Sequence, residues 1–539
     1  GTSLAQSDGS ASDEIIAFYE ERAKGGVGLI ITEITRVNDL TGVGTPNQLC
    51  VTKPYQIQRL ERLARSVHRH GTKIFLQLHH PGRQSYSRLI DGRQIVGASN
   101  ITCKAIGEEP RALTTEEVED MVKDFIKGAK IAQMGGVDGV ELHAAHGYLL
   151  CQFLSEATNN RTDKYGGNFE NRHRMLTEII MGIKYICGPN FPISVRIDGD
   201  EFVEGGISLD QAIKTSVYLE SIGVDCINVS AGSYESPNTI IEPYSYQTGW
   251  RKHLAREIKK NISIPVIAVN TIKKPEDAER FLEEEVCDFV GLGRALLADP
   301  DFVNKAREDE TKDIRPCIGC LHCIESLMNG HTLRCAVNPK LGYEKDYRDL
   351  EKVSSGQKVL VVGGGPAGLQ ASIILAQRGF ETILVEAKPY LGGSVTIGSK
   401  PPHKDLLSTL VENLEYQARQ EGVDIRLNTK ADMDLIDQIN PYAVYLALGC
   451  KNISLSLSED RDKIMDAIEV LEEEKQIKDK KIFVIGSGMT GLETAEYLAE
   501  QGNQVTVVEM AKEIGSGIHK ALLLDITARL KAMGVEFIS

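Results

Sequence analysis

Short apolar runs rich in β-branched residues alternate with longer helical patterns from the start of the chain to Asp299-Pro300. This alternation predicts parallel strands that form one sheet and are covered by helices. Three of the helices are expected at Asp13–Lys24, Thr115–Met134 and residues 208–222. Seven strands are expected, at residues 27–33, 72–78, 137–143, 192–198, 224–230, 264–269 and 286–293.

A closed (β/α)8 barrel needs eight parallel strands. Seven runs qualify here, and the chain opens on a loop and a helix without a methionine. We therefore expect an α/β fold whose barrel, in residues 1–312, is truncated at its N-terminus and lacks its first strand. A gap should separate the first and last strands, with the helix Asp13–Lys24 at the open edge. Such a fragment should not work as an enzyme by itself.

Polar side chains gather at the predicted C-terminal ends of these strands, where (β/α)8 enzymes carry their chemistry. The segments concerned are residues 77–80, 143–148, 196–198, 230–232 and 291–294. Taken singly, His143 is compatible with a hydrogen-bonded core residue, and Tyr148 with an aromatic at the rim. Packing does not explain a polar set at one strand end after another, so the pattern predicts a functional site there.

Four cysteines near the middle of the chain have the spacing C-x2-C-x2-C-x11-C and are followed by Pro339. They are Cys317, Cys320, Cys323 and Cys335. Cysteine runs of this kind hold iron–sulfur clusters. Structural zinc favours two separated C-x2-C pairs, and a disulfide needs an oxidising compartment. The run therefore predicts a 4Fe–4S cluster, with zinc or a disulfide as the alternatives.

A dinucleotide-binding fingerprint follows a charged linker. A predicted strand at residues 359–362 leads into Gly363, Gly365 and Gly368, and a second strand ends at Glu386. In this motif the glycines let the backbone approach a pyrophosphate at the start of a helix, and the acidic side chain binds the ribose. Strand, spacing and acid together make the prediction specific.

The same fingerprint occurs a second time. A strand at residues 482–485 leads into Gly486, Gly488 and Gly491, and the strand at 505–508 ends at Glu509. The acid lies 23 positions after the first glycine in both copies. Two dinucleotides are therefore expected. Because Glu509 would repel a 2′-phosphate and no arginine follows it closely, the second site should prefer NADH to NADPH.

Composition excludes several classes of partner. The 539 residues carry a net charge of −15, which disfavours nucleic acids and anionic membranes. No apolar run is long enough for a membrane span, and the first residues do not resemble a signal peptide. Apart from the run of four, the seven remaining of the eleven cysteines are scattered, as expected for thiols in a reducing cytoplasm.

Several stretches carry a resemblance to a known family. They are residues 76–83, 143–154, 160–167 and 290–295. These stretches resemble the old yellow enzyme family of FMN-binding barrels. With the cysteine run and both fingerprints, the chain is similar along essentially its whole length to the long branch of that family. This branch includes 2,4-dienoyl-CoA reductases, 2-enoate reductases and the bile-acid-inducible NADH-dependent flavin oxidoreductases.

The resemblance implies a division into four segments and a set of cofactors. The segments are an FMN-binding barrel (1–312), an iron–sulfur segment with linker (313–350), the first part of an FAD-binding domain (351–475) and an incomplete NAD(P)H-binding domain (476–539). Residues 445–449 resemble the strand that re-enters near the FAD. The FAD domain of this branch resumes after the NAD domain, and we expect that return to be absent. The implied cofactors are FMN, one 4Fe–4S cluster, FAD and NADH.

The resemblance also implies roles for single residues. Gln77 and Arg196 would lie beside the isoalloxazine of FMN. Asn270, Gly293 and Arg294 would lie at its phosphate, a position that the (β/α)8 fold itself favours. A surface ion pair is the alternative for Arg294.

Three further residues are the candidate catalytic set. His143 and His146 are placed to stabilise negative charge on a carbonyl oxygen of the substrate. Tyr148 is the candidate acid that protonates the α-carbon.

The implied function is NADH-dependent reduction of the C=C bond of an α,β-unsaturated carbonyl compound, or its reverse, desaturation. An enoate, an enoyl-CoA or a steroid enone would serve as substrate. NADH delivers two electrons at once and a cluster carries one, so a flavin is expected on each side of the cluster.

Two alternatives stay open. One is an amine dehydrogenase of the trimethylamine dehydrogenase type, which would need an aromatic cage for a cation. The other is an inactive electron-carrier remnant. The expected partner is a small molecule in the cytoplasm. The oligomeric state is open, with a homo-oligomer as one possibility.

Overall fold

The computed structural model describes residues 1–453 and 463–539. These residues divide into two compact units. The first unit comprises Gly1–Glu242, Tyr246–Asp309 and His322–Asp346. The second comprises Pro243–Ser245, Glu310–Leu321 and Tyr347–Ser539.

The first unit is built on one sheet of seven parallel strands that lie in chain order. The strands are β1 (Leu29–Arg36), β2 (Lys73–His79), β3 (Gly139–Ala144), β4 (Ile193–Asp198), β5 (Cys226–Ser230), β6 (Val266–Val269) and β7 (Phe289–Gly291). All seven predicted strands are confirmed, with ends that differ by no more than three residues. Within the two described ranges no ladder joins β1 to β7, so the sheet is open between them, as the strand count predicted.

Helices precede, connect and follow the strands of this sheet. They are Asp13–Lys24, Ile57–His68, Thr115–Met134, Leu149–Leu154, Phe169–Cys187, Leu209–Ser221, Pro237–Ile240, Lys252–Lys259, Pro275–Glu283, Arg294–Ala298 and Phe302–Arg307. Two of the three predicted helices have the predicted ends, and the third begins after its N-cap, Ser208. The region also holds 3-10 turns at Pro54–Gln56, Gly82–Gln84 and Ser87–Leu89, and a two-stranded pair, Val96–Gly97 with Arg111–Ala112.

The helix Thr115–Met134 begins with a capping box. The hydroxyl of Thr114 accepts a hydrogen bond from the N–H of Glu117, and the Glu117 carboxylate accepts one from the N–H of Thr114. Both bonds satisfy donors that the first helical turn otherwise leaves unpaired.

Side chains of each strand alternate between the helices and the interior of the sheet. On β2, Ile74, Leu76 and Leu78 are fully buried in the main hydrophobic core, which also contains Leu63 and Val67 of the covering helix. The intervening side chains, among them Gln77 and His79, point to the opposite face. The apolar face fixes the register of the strand, and this register sets the polar positions on the inner face.

The two ends of the open sheet are tied by backbone contacts outside it. The N–H of Asn304, in the helix after β7, donates to the carbonyl of Gly25, just before β1, at 3.0 Å. The side-chain amide of Asn304 donates to the carbonyl of Lys24 at 2.9 Å. A Cβ atom on Gly25 would lie 1.8 Å from the carbonyl oxygen of Pro300. Glycine is therefore required for this close approach.

The second unit contains two parallel sheets. In the first, β8 (Lys358–Val362), β9 (Glu381–Val385), β10 (Asp424–Arg426) and β11 (Ala443–Leu446) lie in the order β10-β9-β8-β11. The second holds β12 (Lys481–Ile485), β13 (Gln504–Val508) and β14 (Glu536–Ile538) in chain order. Strand β11 overlaps residues 445–449, where the resemblance placed a re-entering strand, and it pairs with β8.

The helices of the second unit lie between these strands. They are Pro366–Gln377, Ser394–Gly398, Asp405–Gln420, Met433–Ile439, Ala467–Glu472, Met489–Glu500 and Lys520–Ala532, with a 3-10 turn at Thr311–Asp313. Two short helices, His322–Met328 and Glu344–Tyr347, occupy the segment between the barrel and β8. Among the described residues, we find no helix with the length and apolar character needed to cross a bilayer.

Replacing Gly25 should destabilise the first unit. The Gly25→Ala methyl meets a backbone carbonyl, which cannot move aside as a flexible side chain would. We expect a loss of about 3 kcal/mol in the free energy of unfolding, at the upper end of ordinary overpacking. Gly28→Ala is the control, since no atom lies within 4 Å of its added methyl. Urea unfolding curves that coincide for the two variants would contradict this prediction.

Candidate functional site

Parallel pairing brings the predicted polar strand ends together. The ladder pairs Gln77 with Glu141, His143 with Arg196, and Asp198 with Ser230. All carboxyl ends of a parallel sheet lie at one edge, so residues far apart in the sequence become neighbours there.

A buried carboxylate organises the floor of this edge. Glu141 is fully buried, and it accepts hydrogen bonds from Gln77 Nε2 (2.8 Å), Ser194 Oγ (3.0 Å) and Asn228 Nδ2 (2.9 Å). Because a carboxylate only accepts, both amides must turn their nitrogens toward it. The carbonyl oxygens of Gln77 and Asn228 are thereby left for another partner.

His143, His146 and Tyr148, the candidate catalytic residues, form one aromatic cluster with His79. The ring centroid of Tyr148 lies 4.5 Å from that of His79, 4.8 Å from that of His143 and 6.3 Å from that of His146. The two predicted histidines are 5.0 Å apart. The three predicted residues therefore lie together, as the sequence analysis expected.

Two hydrogen bonds fix His146 in an unusual backbone conformation. Its φ of +62° lies in the left-handed region, which is uncommon outside glycine. Its N–H donates to Asp198 Oδ2 at 2.7 Å, and its Nε2 lies 2.6 Å from Ser230 Oγ. Arg196 also donates to Ser230 Oγ, at 3.3 Å. Strain of this kind persists where the surroundings hold it, which is frequent at functional sites.

We assign the proton positions on both histidines from their hydrogen-bond partners. Since Ser230 Oγ accepts from Arg196, its own proton is available to His146 Nε2. Neutral His146 then carries its proton on Nδ1. In His143, Nδ1 accepts the N–H of Ala145 at 3.4 Å, so the proton is on Nε2. Each imidazole presents one N–H donor.

Burial determines the protonation state of the three histidines and of Tyr148. It lowers the pKa of His79, His143 and His146 well below the ordinary value of 6.5, and the guanidinium of Arg196 lowers that of His143 and His146 further. Burial also raises the pKa of Tyr148. At neutral pH the histidines are uncharged donors and the phenol keeps its proton.

Tyr234 is a member of the site that sequence reasoning missed. It lies in the loop after β5, and its hydroxyl is 3.0 Å from that of Tyr148. The position, four residues beyond a strand end, was visible in the sequence. No periodicity within a loop, however, predicts the direction of a side chain.

A buried cluster beneath His146 was also missed. Cys151 Sγ lies 3.5 Å from both Asp198 Oδ2 and Glu201 Oε1. Glu201 in turn accepts from Ser155 Oγ at 2.6 Å and from the N–H of Ile207 at 2.7 Å. Burial raises the pKa of both carboxyl groups, and for Asp198 the neighbouring Glu201 raises it further.

The polar atoms at this edge suit a flavin ring. Arg196 Nε, Asn228 Oδ1 and His79 Nε2 are buried without a hydrogen-bond partner in the described part of the chain. Buried polar atoms are normally paired, so each such atom requires explanation. An isoalloxazine has donors and acceptors along its pyrimidine edge, and the unpaired atoms supply the matching chemistry.

The residues predicted for the FMN phosphate have protein partners in this structure. Arg294 donates to the carbonyl of Glu242 at 2.8 Å and forms an ion pair with its carboxylate at 3.3 Å. With its amide oxygen turned toward the helix Lys252–Lys259, Asn270 accepts the N–H groups of Arg251 and Lys252 at 2.9 and 3.1 Å. Gly293 precedes the helix Arg294–Ala298, with no atom within 4 Å of an added Cβ. Their phosphate role stays a prediction.

The first fingerprint has the geometry that its glycines predict. Gly363 has φ +110°, and a Cβ on Gly368 would lie 1.8 Å from the Gly363 carbonyl. A Cβ on Gly365 would meet nothing within 4 Å. The Glu386 carboxylate accepts the N–H of Gly364 at 2.7 Å. This is the geometry that the motif requires, with one glycine at the turn, one facing open space where a pyrophosphate would approach, and one packed closely against the turn.

The second fingerprint repeats this arrangement. Gly486 has φ +98°, Gly488 faces open space, and a Cβ on Gly491 would lie 2.1 Å from the Gly486 carbonyl. Backbone N–H groups, that of Ala511 foremost, and the hydroxyl of Ser487 lower the pKa of Glu509 to about 2. The carboxylate is therefore ionised throughout the physiological range.

The cysteine run takes a sharply turned path. In the second unit, Cys320 lies between two residues in the left-handed region, Gly319 at φ +68° and Leu321 at φ +57°. In the first unit, Cys323 is buried in the helix His322–Met328, and Cys335 follows in a loop. None of the four thiols, Cys317 included, is in a disulfide in this structure.

The barrel edge and the paired fingerprints define a class of protein, a flavin-dependent oxidoreductase that draws its electrons from a nicotinamide dinucleotide. Residues 2–313 match the NADH:flavin oxidoreductase / NADH oxidase family, and residues 357–539 match the pyridine nucleotide-disulphide oxidoreductase domain. The first match spans more than half of the chain, and the chain belongs to the NADH:flavin oxidoreductase / NADH oxidase family.

Individual relatives extend over nearly the whole chain. It is 41% identical over 541 residues to an NADH oxidase of Thermoanaerobacter brockii, covering 99% of this chain and 83% of the relative. It is 38% identical over 532 residues to a cinnamate reductase of Clostridium sporogenes, covering 95% and 79%. The structure of a 2-naphthoyl-CoA reductase bound to 2-naphthoyl-CoA matches with a TM-score of 0.95 at 28% identity, covering 100% and 84%.

These comparisons confirm the predicted resemblance to the old yellow enzyme family and its long branch. They also confirm the barrel fold and the use of a flavin and a nicotinamide dinucleotide. At the level of the family, the prediction of an NAD(P)H-dependent oxidoreductase of the ene-reductase type is confirmed.

Replacing Asp198 should change how stability depends on pH. With its pKa raised in the folded state, the native protein holds a proton that the unfolded chain releases above about pH 4. Stability therefore falls as the pH rises from that value toward the folded pKa. Asp198→Asn keeps an oxygen for the N–H of His146 and removes this loss. We expect it to be more stable than the native chain at pH 8, with no gain at pH 4.

Asp288→Asn provides a control of opposite sign. Although burial opposes it, hydrogen bonds from Lys259 and the N–H of Val266 lower the pKa of Asp288. This variant should lose stability at pH 8 and lose less at pH 3. Urea unfolding at both pH values measures the two effects, and a gain for Asp198→Asn that did not depend on pH would count against a raised pKa.

Proposed function

We propose that this protein reduces the C=C bond of an α,β-unsaturated carbonyl compound with electrons from NADH. The observation that carries the proposal is the grouping of two neutral histidine donors around a protonated tyrosine at the barrel edge. Reduction of such a bond needs stabilisation of a developing oxyanion and a proton for the α-carbon. The two histidines would supply the stabilisation and Tyr148 the proton, and a bound FMN would supply the hydride.

The histidines are suited to an oxyanion and not to a cation. Nε2–H of His143 and Nδ1–H of His146 are the donors that the hydrogen bonds leave available. Preorganised donors aimed at a developing negative charge contribute about 3–4 kcal/mol each to lowering the barrier. Because both rings are neutral, neither is an imidazolium that would replace Tyr148 as the proton donor to the α-carbon.

Gln77 and Arg196 would hold the isoalloxazine. Glu141 orients the Gln77 amide so that its oxygen faces away from the carboxylate, and Arg196 keeps an unpaired buried Nε. An acceptor beside a cation fits a ring edge that carries both an N–H and carbonyl oxygens. Arg294, Gly293 and Asn270 remain the candidates for the phosphate.

The second unit would bring the electrons. We assign FAD to the fingerprint of Gly363 and Glu386, and NADH to that of Gly486 and Glu509. The low pKa of Glu509 supports NADH over NADPH, because an ionised carboxylate repels a 2′-phosphate. A 4Fe–4S cluster on the four-cysteine run would then pass single electrons between the two flavins.

Oxidation of an amine is the second candidate function. An aromatic group supports it: Trp250 lies 5.6 Å from Phe202 and 5.2 Å from Tyr246 between ring centroids. Such rings attract organic cations. The histidine donors at the barrel edge favour a carbonyl substrate, and for this reason C=C reduction is preferred. An inactive electron-carrier remnant, the third possibility, would react neither with an unsaturated carbonyl compound nor with an amine.

Tyr148→Phe tests the proposal. In full-length protein replete with the iron–sulfur cluster, NADH consumption should depend on an added enoate, enoyl-CoA or enone, and an N-methylamine should not be oxidised. The variant should reduce the same substrate about 10²–10⁴-fold more slowly, since it lacks the acid. Reduction of its flavins by NADH should be unchanged. Wild-type turnover by Tyr148→Phe would reduce this residue to a packing role, and consumption with amines alone would favour the second candidate.

The metal content tests the cluster. Protein prepared anaerobically should contain about four irons per chain, as one 4Fe–4S cluster requires. Cys335→Ser should lower the iron content and the visible absorbance of the cluster. Cys187→Ser, which changes a thiol outside the run, should leave both unaltered. A single tightly bound zinc without iron would exclude the assignment.

A further inference from the structure

We propose that Tyr234 is the proton-relay partner of Tyr148, which passes a proton to the Tyr148 hydroxyl as that residue protonates the substrate. The inference rests on the proposed function, in which Tyr148 is the acid. The bond between the two hydroxyl groups, at 3.0 Å, is the observation that carries it.

The surroundings of Tyr148 leave one side for a donor. Its ring packs edge to face against His79 and His143, with interplanar angles of 82° and 88°. The Tyr234 ring approaches from the loop after β5, with centroids 5.8 Å apart and an interplanar angle of 74°. The histidines hold the Tyr148 ring, while the Tyr234 hydroxyl meets the oxygen at which the proton is lost.

The loop that carries Tyr234 is fixed on both sides of this residue. Ser233 N–H donates to Ser236 Oγ at 2.9 Å, and Ser236 Oγ donates to the carbonyl of Glu201 at 2.8 Å. Glu235 forms an ion pair at 3.2 Å with Arg83, whose side chain is only 3% exposed. Breaking this pair would leave the buried Arg83 guanidinium without its counter-charge, which is costly. Tyr234 therefore lies in a loop that is anchored on both sides of it.

The proton balance closes with water as the only further reactant. The O–H bond of Tyr148 breaks, and the electron pair of the substrate's enolate forms the new C–H bond at the α-carbon. In the same step the Tyr148 oxygen takes the proton of Tyr234, whose O–H bond breaks. Tyr234, which is only partly buried, regains a proton from water. No electron is gained or lost in these steps.

A relay has physical value at this position because burial disfavours a charged phenolate. Burial raises the pKa of Tyr234 well above 10, as it raises that of Tyr148, so neither phenol ionises readily at neutral pH. The hydrogen bond from Tyr234 acts in the opposite direction and lowers the pKa of Tyr148. A donor that moves its proton together with the transfer avoids leaving an isolated negative charge.

Protonation of a preformed alkyl nitronate by the holoenzyme tests the relay. A nitronate already carries the negative charge, so its protonation is seen by loss of its ultraviolet absorbance without any hydride step. Native enzyme should accelerate protonation, and its rate should curve with the deuterium fraction of the solvent because two protons move. Tyr234→Phe should be about tenfold slower, with a linear dependence. Tyr86→Phe, a neighbouring phenol stacked on Arg88, is the matched control and should behave as the native enzyme.

The outcomes separate the two proposals. If Tyr148→Phe protonates the nitronate as fast as the native enzyme, the assignment of Tyr148 as the acid fails and the relay fails with it, whereas the proposed C=C reduction is judged separately by substrate-dependent NADH consumption. If Tyr148→Phe is slow but Tyr234→Phe keeps the native rate and the curved dependence, the relay is wrong while the acid stands. A slow Tyr234→Phe whose dependence stays curved would also overturn the relay, since Tyr234 would then only shape the pocket.

Discussion

The parallel register of the barrel sheet is the constraint on which the site depends. It places Glu141 beside Gln77, and His143 beside Arg196, although their separations in the sequence are large. A fully buried carboxylate is costly unless several donors satisfy it. Glu141 has three, and each of them is thereby oriented. These three hydrogen bonds offset the cost of burying the carboxylate, and they allow the amides of Gln77 and Asn228 only one orientation each.

Strand order and glycine geometry were predictable because both depend on local pattern. β-branched runs fixed all seven strands, and the spacing of Gly363, Gly365 and Gly368 fixed a turn that only glycine can make. The histidines were predictable for a related reason, since strand ends locate the reactive edge. The proton positions on His143 and His146 were not, because they depend on Ser230 and Ala145, whose contacts arise only in the folded chain.

Tyr234 and the Cys151–Asp198–Glu201 cluster mark the limit of reading the sequence. Both involve loop or helix residues brought together by tertiary packing. From the sequence alone, Cys151 would be interpreted as a packing residue, and Glu201, three positions beyond a strand, as a solvent-exposed acid. Only the fold shows that Glu201 is buried and that Asp198 supports the left-handed His146. The signal for such positions is long-range, so no window of sequence contains it.

The chemical role of each side chain in the site follows from the effect of burial on its pKa. Burial lowers the pKa of the three histidines and raises that of the two tyrosines. An imidazole whose pKa lies far below the usual value is uncharged at neutral pH. It donates a hydrogen bond but does not give up its proton. A phenol with a raised pKa keeps its proton until a strong base, such as a developing carbanion, takes it. Histidine therefore stabilises charge and tyrosine moves protons, and one physical effect, desolvation, sets both roles.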